Sequence, residues 1–216
     1  MAKEPGRRIA VLGASGTVGR RIVDRLLDRG CDVVCQTRSA DTLAPLAGRV
    51  EVHAFDPTDT AGMSKFVSGT EAVIFALGTN TTGATTLFSE ATRAVIAAME
   101  KQQVRRLIAI TGVGAGETRG HGGFLYDRII FPFFTRKRYA DKDRQESLIA
   151  ASGLDWVVVR PAAFSGRKRA GAVEVYTEIG PETRLTWITP DEVADFVVAQ
   201  LDSNRYLGQR PFIGHV

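Results

Sequence analysis

A glycine-rich turn near the start of the chain constrains the fold more than any other feature. An apolar run at residues 9–12 leads into the heptapeptide GASGTVG at residues 13–19, and an amphipathic run follows at once. A buried strand, a glycine turn and a helix in this order can hold a phosphate, because free N–H groups and the helix dipole face the anion. Gly13 permits the tight turn, Gly16 lets a pyrophosphate approach the backbone, and Gly19 lets the helix pack on the strand. We predict a nucleotide site here, with a purely conformational turn as the alternative.

Apolar strand-like runs alternate with helical patterns along most of the chain, which indicates βαβ units and a parallel sheet. Strands are expected at residues 9–12, 33–36, 50–54, 72–76, 106–111 and 156–160, and helices at 18–29, 42–46, 61–67, 87–102 and 141–151. Thr189 as N-cap and Pro190 at the first helical position mark the start of a last helix. The predicted fold is α/β: a doubly wound, mostly parallel Rossmann-type sheet with helices on both faces, in a single domain.

The charge and composition of the chain limit the kinds of partner that we expect. The formal net charge of the 216 residues is +4, and the one local basic cluster, at residues 135–138, is soon followed by Asp141 and Asp143. We read it as a solvated face or an anion-facing rim and expect no nucleic-acid partner. No stretch approaches the roughly 20 apolar residues of a membrane span, so a cytoplasmic protein without a membrane partner is expected. Cys31 and Cys35 have no further ligands at metal spacing, so no metal site is expected.

The residues after the second and third strands suggest which dinucleotide binds. An NAD enzyme places an acid about 20 residues after the glycines to hold the ribose hydroxyls. This chain has Arg38 and Ser39 there, and a guanidinium fork suits a 2′-phosphate, so NADP is favoured over NAD. Arg38 in water at a strand end is the alternative. Asp56, before Pro57, is either an acceptor for the adenine amino group or the cap of a turn.

The segment from Lys142 to Pro161 carries a family resemblance. It reads KDRQESLIAASGLDWVVVRP and, with the glycine turn and Arg38, resembles the atypical short-chain dehydrogenase/reductase family with NAD(P)H-binding Rossmann domains, the group around NmrA-like proteins and flavin/biliverdin reductases. The resemblance covers about residues 8–201. It implies a pyrophosphate site at Gly13, Ala14, Ser15, Gly16, Thr17 and Val18, a ribose site at Ala76, Leu77 and Gly78, and a nicotinamide site at Pro161, Ala162, Ala163 and Phe164.

The same resemblance singles out three candidate catalytic residues. Thr111 matches a position where the wider superfamily uses a hydroxyl on a substrate carbonyl; the alternative is a Thr that satisfies local backbone groups. Lys142 matches a lysine that reaches the nicotinamide ribose, or is simply solvated; in the first turn of a helix it would oppose the dipole, which favours a role. Tyr139 stands three residues before Lys142 instead of four, so it is either a proton donor or a packing residue.

A glycine-rich loop and an aromatic run follow the fifth strand. Residues 112–123 contain six glycines and His121, and residues 124–134 read FLYDRIIFPFF. Such a loop can close over the nicotinamide, and the aromatic run can stack on a planar ligand. A buried core helix and a patch that pairs with a second subunit remain equal alternatives for the run, and His121 is either solvent-facing or a proton donor.

We therefore expect an NADP(H)-dependent oxidoreductase that passes hydride from nicotinamide to a small, planar acceptor such as a flavin, quinone or tetrapyrrole. The partner is a small-molecule substrate, and a homodimer is possible on the aromatic run. The irregular spacing of Tyr139 and Lys142 keeps a second hypothesis open, an NmrA-like protein that senses NAD(P) without turnover. A nucleotide-sugar epimerase or dehydratase is a third, although such relatives carry a larger C-terminal region.

Overall fold

Strands and helices alternate along the chain as the sequence predicts. The computed structural model describes residues 6–79, 83–113, 118, 136–166 and 171–216, with the backbone alone at 136–139. The strands in this part of the chain are β1 (Arg8–Leu12), β2 (Asp32–Thr37), β3 (Glu51–Ala54), β4 (Ala72–Phe75), β5 (Arg106–Ile110), β6 (Asp155–Pro161), β7 (Glu174–Tyr176) and β8 (Phe212–Gly214). The α-helices there are α1 (Thr17–Asp28), α2 (Thr60–Val67), α3 (Leu87–Gln102), α4 (Arg136–Ala150) and α5 (Pro190–Ala199), and a 3-10 helix spans Ala40–Leu46.

All of these strands belong to one sheet. Their order is β3-β2-β1-β4-β5-β6-β8-β7, and every neighbouring pair is parallel except β7 with β8. The winding reverses between β1 and β4, and ligands of such sheets bind outside the carboxyl ends of the strands at this reversal. The predicted doubly wound, mostly parallel sheet is confirmed.

Helices cover both faces of the sheet, and this explains why the strands are apolar almost throughout. Side chains of β1 alternate between two cores: Ile9 and Val11 pack with α1 and α5, whereas Ala10 and Leu12 pack with α2, α3 and α4. Among the helices that the structure describes, none has the length and apolar character needed to cross a membrane.

Two strands were not predicted, and the start of one helix was wrong. Strands β7 and β8 are three residues each and were not expected, because such short runs carry no readable alternation. Strand β8 forms because Phe212 and Ile213 pair with Arg160 and Pro161 at the end of β6. Helix α4 begins at Arg136 instead of residue 141. Lys142 therefore lies in its second turn, where the dipole argument for a functional role no longer applies.

Ion pairs lock α1, which follows the glycine turn, to α5. Arg21 Nε lies 2.8 Å from Asp191 Oδ2, while Arg25 reaches Asp191 Oδ1 at 2.7 Å and Asp195 Oδ1 at 2.9 Å. Hydrogen bonds from Arg21, and then from Arg25, lower the pKa of Asp191 against the opposing effect of burial. These side chains are partly exposed, so each pair contributes modestly to the stability of the fold. We call these ion pairs between α1 and α5 the ion-pair ladder.

Arg25→Gln tests this ladder. We expect the free energy of unfolding at pH 7 to fall by about 0.5–1 kcal/mol, the amount that partly exposed ion pairs contribute. Because the pKa of Asp191 is lowered in the folded state, its contribution is present above the ordinary aspartate pKa of about 3.9 and is lost as the pH falls through the folded value. In urea unfolding at pH 7, 5 and 3, the deficit should persist at pH 5 and shrink at pH 3.

Arg49→Gln is the matched control for that experiment. Arg49 is exposed and makes no ion pair or side-chain hydrogen bond within the described residues. Equal losses of stability in the two variants at pH 7 would contradict the role of the ladder.

Candidate functional site

The turn between β1 and α1 presents unpartnered backbone donors. Gly16 is the N-cap of α1, no side chain caps the helix, and its first turn holds no acidic residue. The first N–H groups of a helix have no partner within the helix, so they are free to bind an anion. Gly13 has φ 82°, and a Cβ there would lie 2.9 Å from the carbonyl oxygen of Ala76. Only glycine fits this turn, and the cradle suits a pyrophosphate.

Gln36 holds the turn in place from the neighbouring strand. Its side-chain oxygen accepts from the Gly13 N–H at 3.1 Å, and its Nε2 donates to the carbonyl of Phe55 at 2.7 Å. The side chain is buried. One amide therefore joins the ends of β1, β2 and β3.

The predicted 2′-phosphate residues lie beside the turn. The Thr37 hydroxyl, at the end of β2, donates to Ser15 Oγ at 3.2 Å, and Arg38 and Ser39 follow directly on the exposed surface. Asp56 Oδ1 accepts from the Thr58 N–H at 2.9 Å and its hydroxyl at 2.6 Å. These bonds, the hydroxyl first, lower the pKa of Asp56. Asp56 thus caps a turn, while its Oδ2 has no partner among the described residues.

The ends of β4 and β1 touch. The Ala76 N–H donates to Leu12 O at 2.9 Å, and Ala76 O lies against Gly13, as described above. Leu77 is half-buried, Gly78 is exposed, and a Cβ on Gly78 would meet nothing within 4 Å. The predicted ribose residues Ala76, Leu77 and Gly78 therefore border the glycine turn on its β4 side.

Thr111 and Lys142 both lie at the end of β5. Thr111 follows the last residue of β5, and Lys142 Nζ lies 3.5 Å from the carbonyl oxygen of that residue, Ile110, and 4.3 Å above the ring of Phe88. Both side chains are 7% exposed. Two of the three candidate catalytic residues thus share one strand end, on the face that α3 and α4 cover.

A buried carboxylate organises this strand end. Glu146 of α4 accepts from the Thr111 hydroxyl at 2.7 Å, from Arg160 Nε at 3.1 Å and from Arg160 Nη2 at 2.5 Å. Arg210 approaches the same carboxylate at 3.4 Å and stacks 5.1 Å above the ring of Trp156. Arg160 and Arg210 line an open cleft of ≈ 500 Å³ beside β6. Glu146 therefore ties α4 to the ends of β5 and β6.

The predicted nicotinamide residues follow at the end of β6. Pro161 and Ala162 are buried, whereas Phe164 is 53% exposed. The backbone around Phe164 is fixed, because Ile188 donates to Ala163 O at 3.0 Å and accepts from the Ser165 N–H at 3.0 Å. The aromatic ring is therefore held at the edge of the candidate site with about half of its surface exposed.

The structure brings nearly all the predicted site residues to one edge of the sheet. The backbone of Tyr139 lies in α4, three residues before Lys142, and its side chain lies outside the described part of the chain, as do His121 and the aromatic run at 124–134. The described residues contain no group of three His, Cys, Asp or Glu side chains that could hold a metal ion.

Sequence reasoning missed the buried polar residues that support the site. Gln36 and Arg160 each interrupt an apolar strand, which was a readable signal, because a buried polar group needs a partner. Asp141 accepts from the Phe88 N–H at 2.8 Å and so caps α3 from α4. Glu146 was part of the family pattern but received no role.

Gly19→Ala tests the packing of α1 on the glycine turn. A Cβ at Gly19 would lie 2.1 Å from the carbonyl oxygen of Gly13, a contact that backbone atoms must shift to relieve. Alanine inside a helix normally gains about 1 kcal/mol over glycine, yet we expect a net loss of about 1–3 kcal/mol from overpacking. Urea unfolding measures this change in the free energy of unfolding. Gly166→Ala is the control, since a Cβ at Gly166 meets nothing within 4 Å. Unchanged stability in Gly19→Ala would refute the close contact.

Comparison with known proteins agrees with this geometry. Residues 13–204 match the model of a family described as NAD(P)H-binding. A Bacillus subtilis (strain 168) protein named uncharacterized sugar epimerase YhfK is 27% identical over 207 residues, 90% of this chain and 88% of that protein. The (4-alkanoyl-5-oxo-2,5-dihydrofuran-3-yl)methyl phosphate reductase of Streptomyces griseus is 27% identical over 209 residues, 93% of this chain and 65% of the relative.

A solved structure shares the fold at low identity. ChuY, described as an anaerobillin reductase from Escherichia coli O157:H7, has a TM-score of 0.80 and 21% identity, and the match covers 96% of this chain and 97% of that one. The family match begins at the glycine turn and runs through α5, with the strand ends that form the site inside it. The chain thus belongs to this NAD(P)H-binding family, and its fold is a Rossmann-type, doubly wound sheet.

Proposed function

We propose that the protein is an NADP-dependent reductase that passes hydride to a small, planar acceptor at the carboxyl edge of the sheet. The placement of Thr111 and Lys142 at the same strand end carries this proposal. A buried hydroxyl and a buried ammonium are placed together there, on the same edge as the phosphate turn. Buried polar side chains gathered at one strand end are typical of a site that binds a reacting ligand.

The dinucleotide has a residue set for each of its parts. The turn at residues 13–18 takes the pyrophosphate, and Asp56 Oδ2 is free to accept from the adenine amino group beside Pro57. Residues 76–78 flank the ribose on the nicotinamide side, where the Lys142 ammonium donates to a hydroxyl. Residues 161–164 border the nicotinamide. When bound, the cofactor supplies the hydride at nicotinamide C4, and the protein contributes orientation and exclusion of water.

The preference for NADP rests on Arg38. This guanidinium follows β2, whose last residue Thr37 is hydrogen-bonded to Ser15 in the phosphate turn. Arg38 also lies close enough to Asp56 to lower its pKa slightly. A 2′-phosphate on the adenosine ribose would come between the guanidinium and the Ser39 hydroxyl, and guanidinium–phosphate pairs are among the stronger hydrogen-bonded contacts.

A planar acceptor is favoured by Phe164. Its ring is half-exposed at the nicotinamide side of the site, on backbone that Ile188 fixes. An exposed aromatic ring on a rigid segment gives a flat ligand a stacking surface at little entropic cost. The reductase names of two relatives are consistent with this reaction class.

Oxidation of NADPH in the presence of single acceptors tests the function. We expect the absorbance at 340 nm to fall with at least one member of a panel of flavins, quinones and biliverdin. Equal affinities for NADP and NADPH without turnover on any acceptor would instead indicate a sensor of the dinucleotide. Interconversion of a nucleotide-linked sugar without net consumption of NADPH would indicate an epimerase, the activity in the name of the B. subtilis relative.

Arg38→Asp tests the cofactor preference. Losing hydrogen bonds to a charged group costs about 1.5–3 kcal/mol, so we expect the Kd for NADPH to rise at least about tenfold. The Kd for NADH should change much less. Arg49→Asp makes the same charge change on an exposed arginine that precedes β3, at the opposite edge of the sheet, and should leave both constants unchanged. If Arg38→Asp weakens both dinucleotides equally or neither, the argument for the 2′-phosphate fails.

A further inference from the structure

The hydrogen bond between Thr111 and Glu146 has a fixed direction. The two oxygens are 2.7 Å apart, and Glu146 is 4% exposed. An ionised carboxylate only accepts hydrogen bonds, so the hydroxyl proton of Thr111 must point towards Glu146. The hydroxyl then has only its lone pairs left for other partners.

Arginine side chains hold the carboxylate in this orientation. Arg160 binds both carboxylate oxygens, and Arg210 lies 3.4 Å from one of them. Arg160 is 3% exposed and always charged, and a charge with so little exposure needs a partner such as the Glu146 carboxylate. Glu146 therefore cannot turn away from Thr111 without breaking its two hydrogen bonds to the buried guanidinium of Arg160.

We propose that Glu146 makes Thr111 a hydrogen-bond acceptor for the bound ligand, so that the site recognises an N–H group at the end of β5. No described residue donates to Thr111 Oγ1, and its side chain keeps 7% of its surface exposed. Turning the hydroxyl towards a ligand carbonyl would exchange a charge-assisted bond for a neutral one about half as strong. This reverses the donor role that the family resemblance implies for Thr111.

Two N–H sources would satisfy this acceptor. One is the carboxamide of the nicotinamide, and the other is a ring N–H of the planar acceptor, such as N3–H of a flavin. The inference rests on the proposed function, because it assumes that a dinucleotide binds at this edge. It deepens that function by stating what the ligand must present to Thr111.

Four probes and two variants distinguish the sources. NADP carries the carboxamide, whereas its 3-acetylpyridine analogue has a methyl ketone and no N–H; lumiflavin carries N3–H, whereas 3-methyllumiflavin does not. Isothermal titration gives the Kd of each dinucleotide for the wild type, Thr111→Val and Thr111→Ser, and of each flavin with NADP saturating. A lost neutral hydrogen bond corresponds to about a three- to tenfold rise in Kd.

The expected result is selective. If the nicotinamide carboxamide is the N–H donor, Thr111→Val should weaken the binding of NADP but not of its ketone analogue. If the N–H belongs to the planar hydride acceptor, the same change should weaken the binding of lumiflavin but not of 3-methyllumiflavin. Thr111→Ser should bind as the wild type does. The inference is overturned if Thr111→Val weakens the ketone analogue as much as NADP, since Thr111 would then donate to a carbonyl, or if it changes no Kd. A wild type that binds neither dinucleotide would overturn the proposed function as well.

A double variant tests the positioning role of Glu146. In Glu146→Gln/Arg160→Met, Arg210 can hold the amide oxygen and the amide NH₂ can donate to Thr111, which frees the hydroxyl proton for the ligand. Replacing both partners avoids leaving a buried charge unpaired. For the probe pair that the Thr111 variants identify, we expect the Kd of the probe without an N–H, relative to the Kd of its N–H partner, to fall at least threefold. An unchanged ratio in a variant that unfolds as cooperatively as the wild type would contradict the role of Glu146; if the variant does not fold, the Thr111 variants decide.

Discussion

The contact between α1 and the glycine turn is the constraint on which the site depends. A side chain on Gly19 would place a Cβ 2.1 Å from Gly13 O, so the helix lies as close to the turn as backbone atoms allow. This proximity aims the unpaired N–H groups at the start of α1 into the space beyond β1. Gln36 then fixes the turn to two neighbouring strands. The proposed phosphate site is thus built of backbone, and side chains only hold it in place.

The part of the candidate site at the end of β5 is built of side chains instead of backbone. At the end of β5, buried charges set the geometry: Glu146 joins Thr111 to Arg160, and Asp141, one turn earlier on α4, caps α3. A buried ion pair of this kind costs desolvation and adds little net stability, but removing one partner is strongly unfavourable. We interpret the pair as a device for orientation, because it determines which way the Thr111 hydroxyl points.

The sequence was informative where a local pattern has a local cause. Gly13 and Gly19 predicted the tight turn between β1 and α1, since strand, turn and helix follow one another directly. The capping of α5 by Thr189 and Glu192 was also readable, and both halves of that capping box are present. The apolar strand runs predicted the sheet and its winding. Bounds failed where no pattern existed: β7 and β8 are too short for alternation, and α4 starts among basic residues.

Taken by itself, the sequence determined the fold class, the glycine turn and the edge of the sheet that carries the candidate site, because these follow from residues adjacent in the chain. Only the tertiary structure decided in which direction the Thr111 hydroxyl donates its hydrogen bond. Its hydroxyl meets Glu146, 35 residues away, and that carboxylate meets Arg160 after a further 14 residues. Whether a hydroxyl donates or accepts depends on its partner's charge, and packing α4 against β5 and β6 supplies the partner.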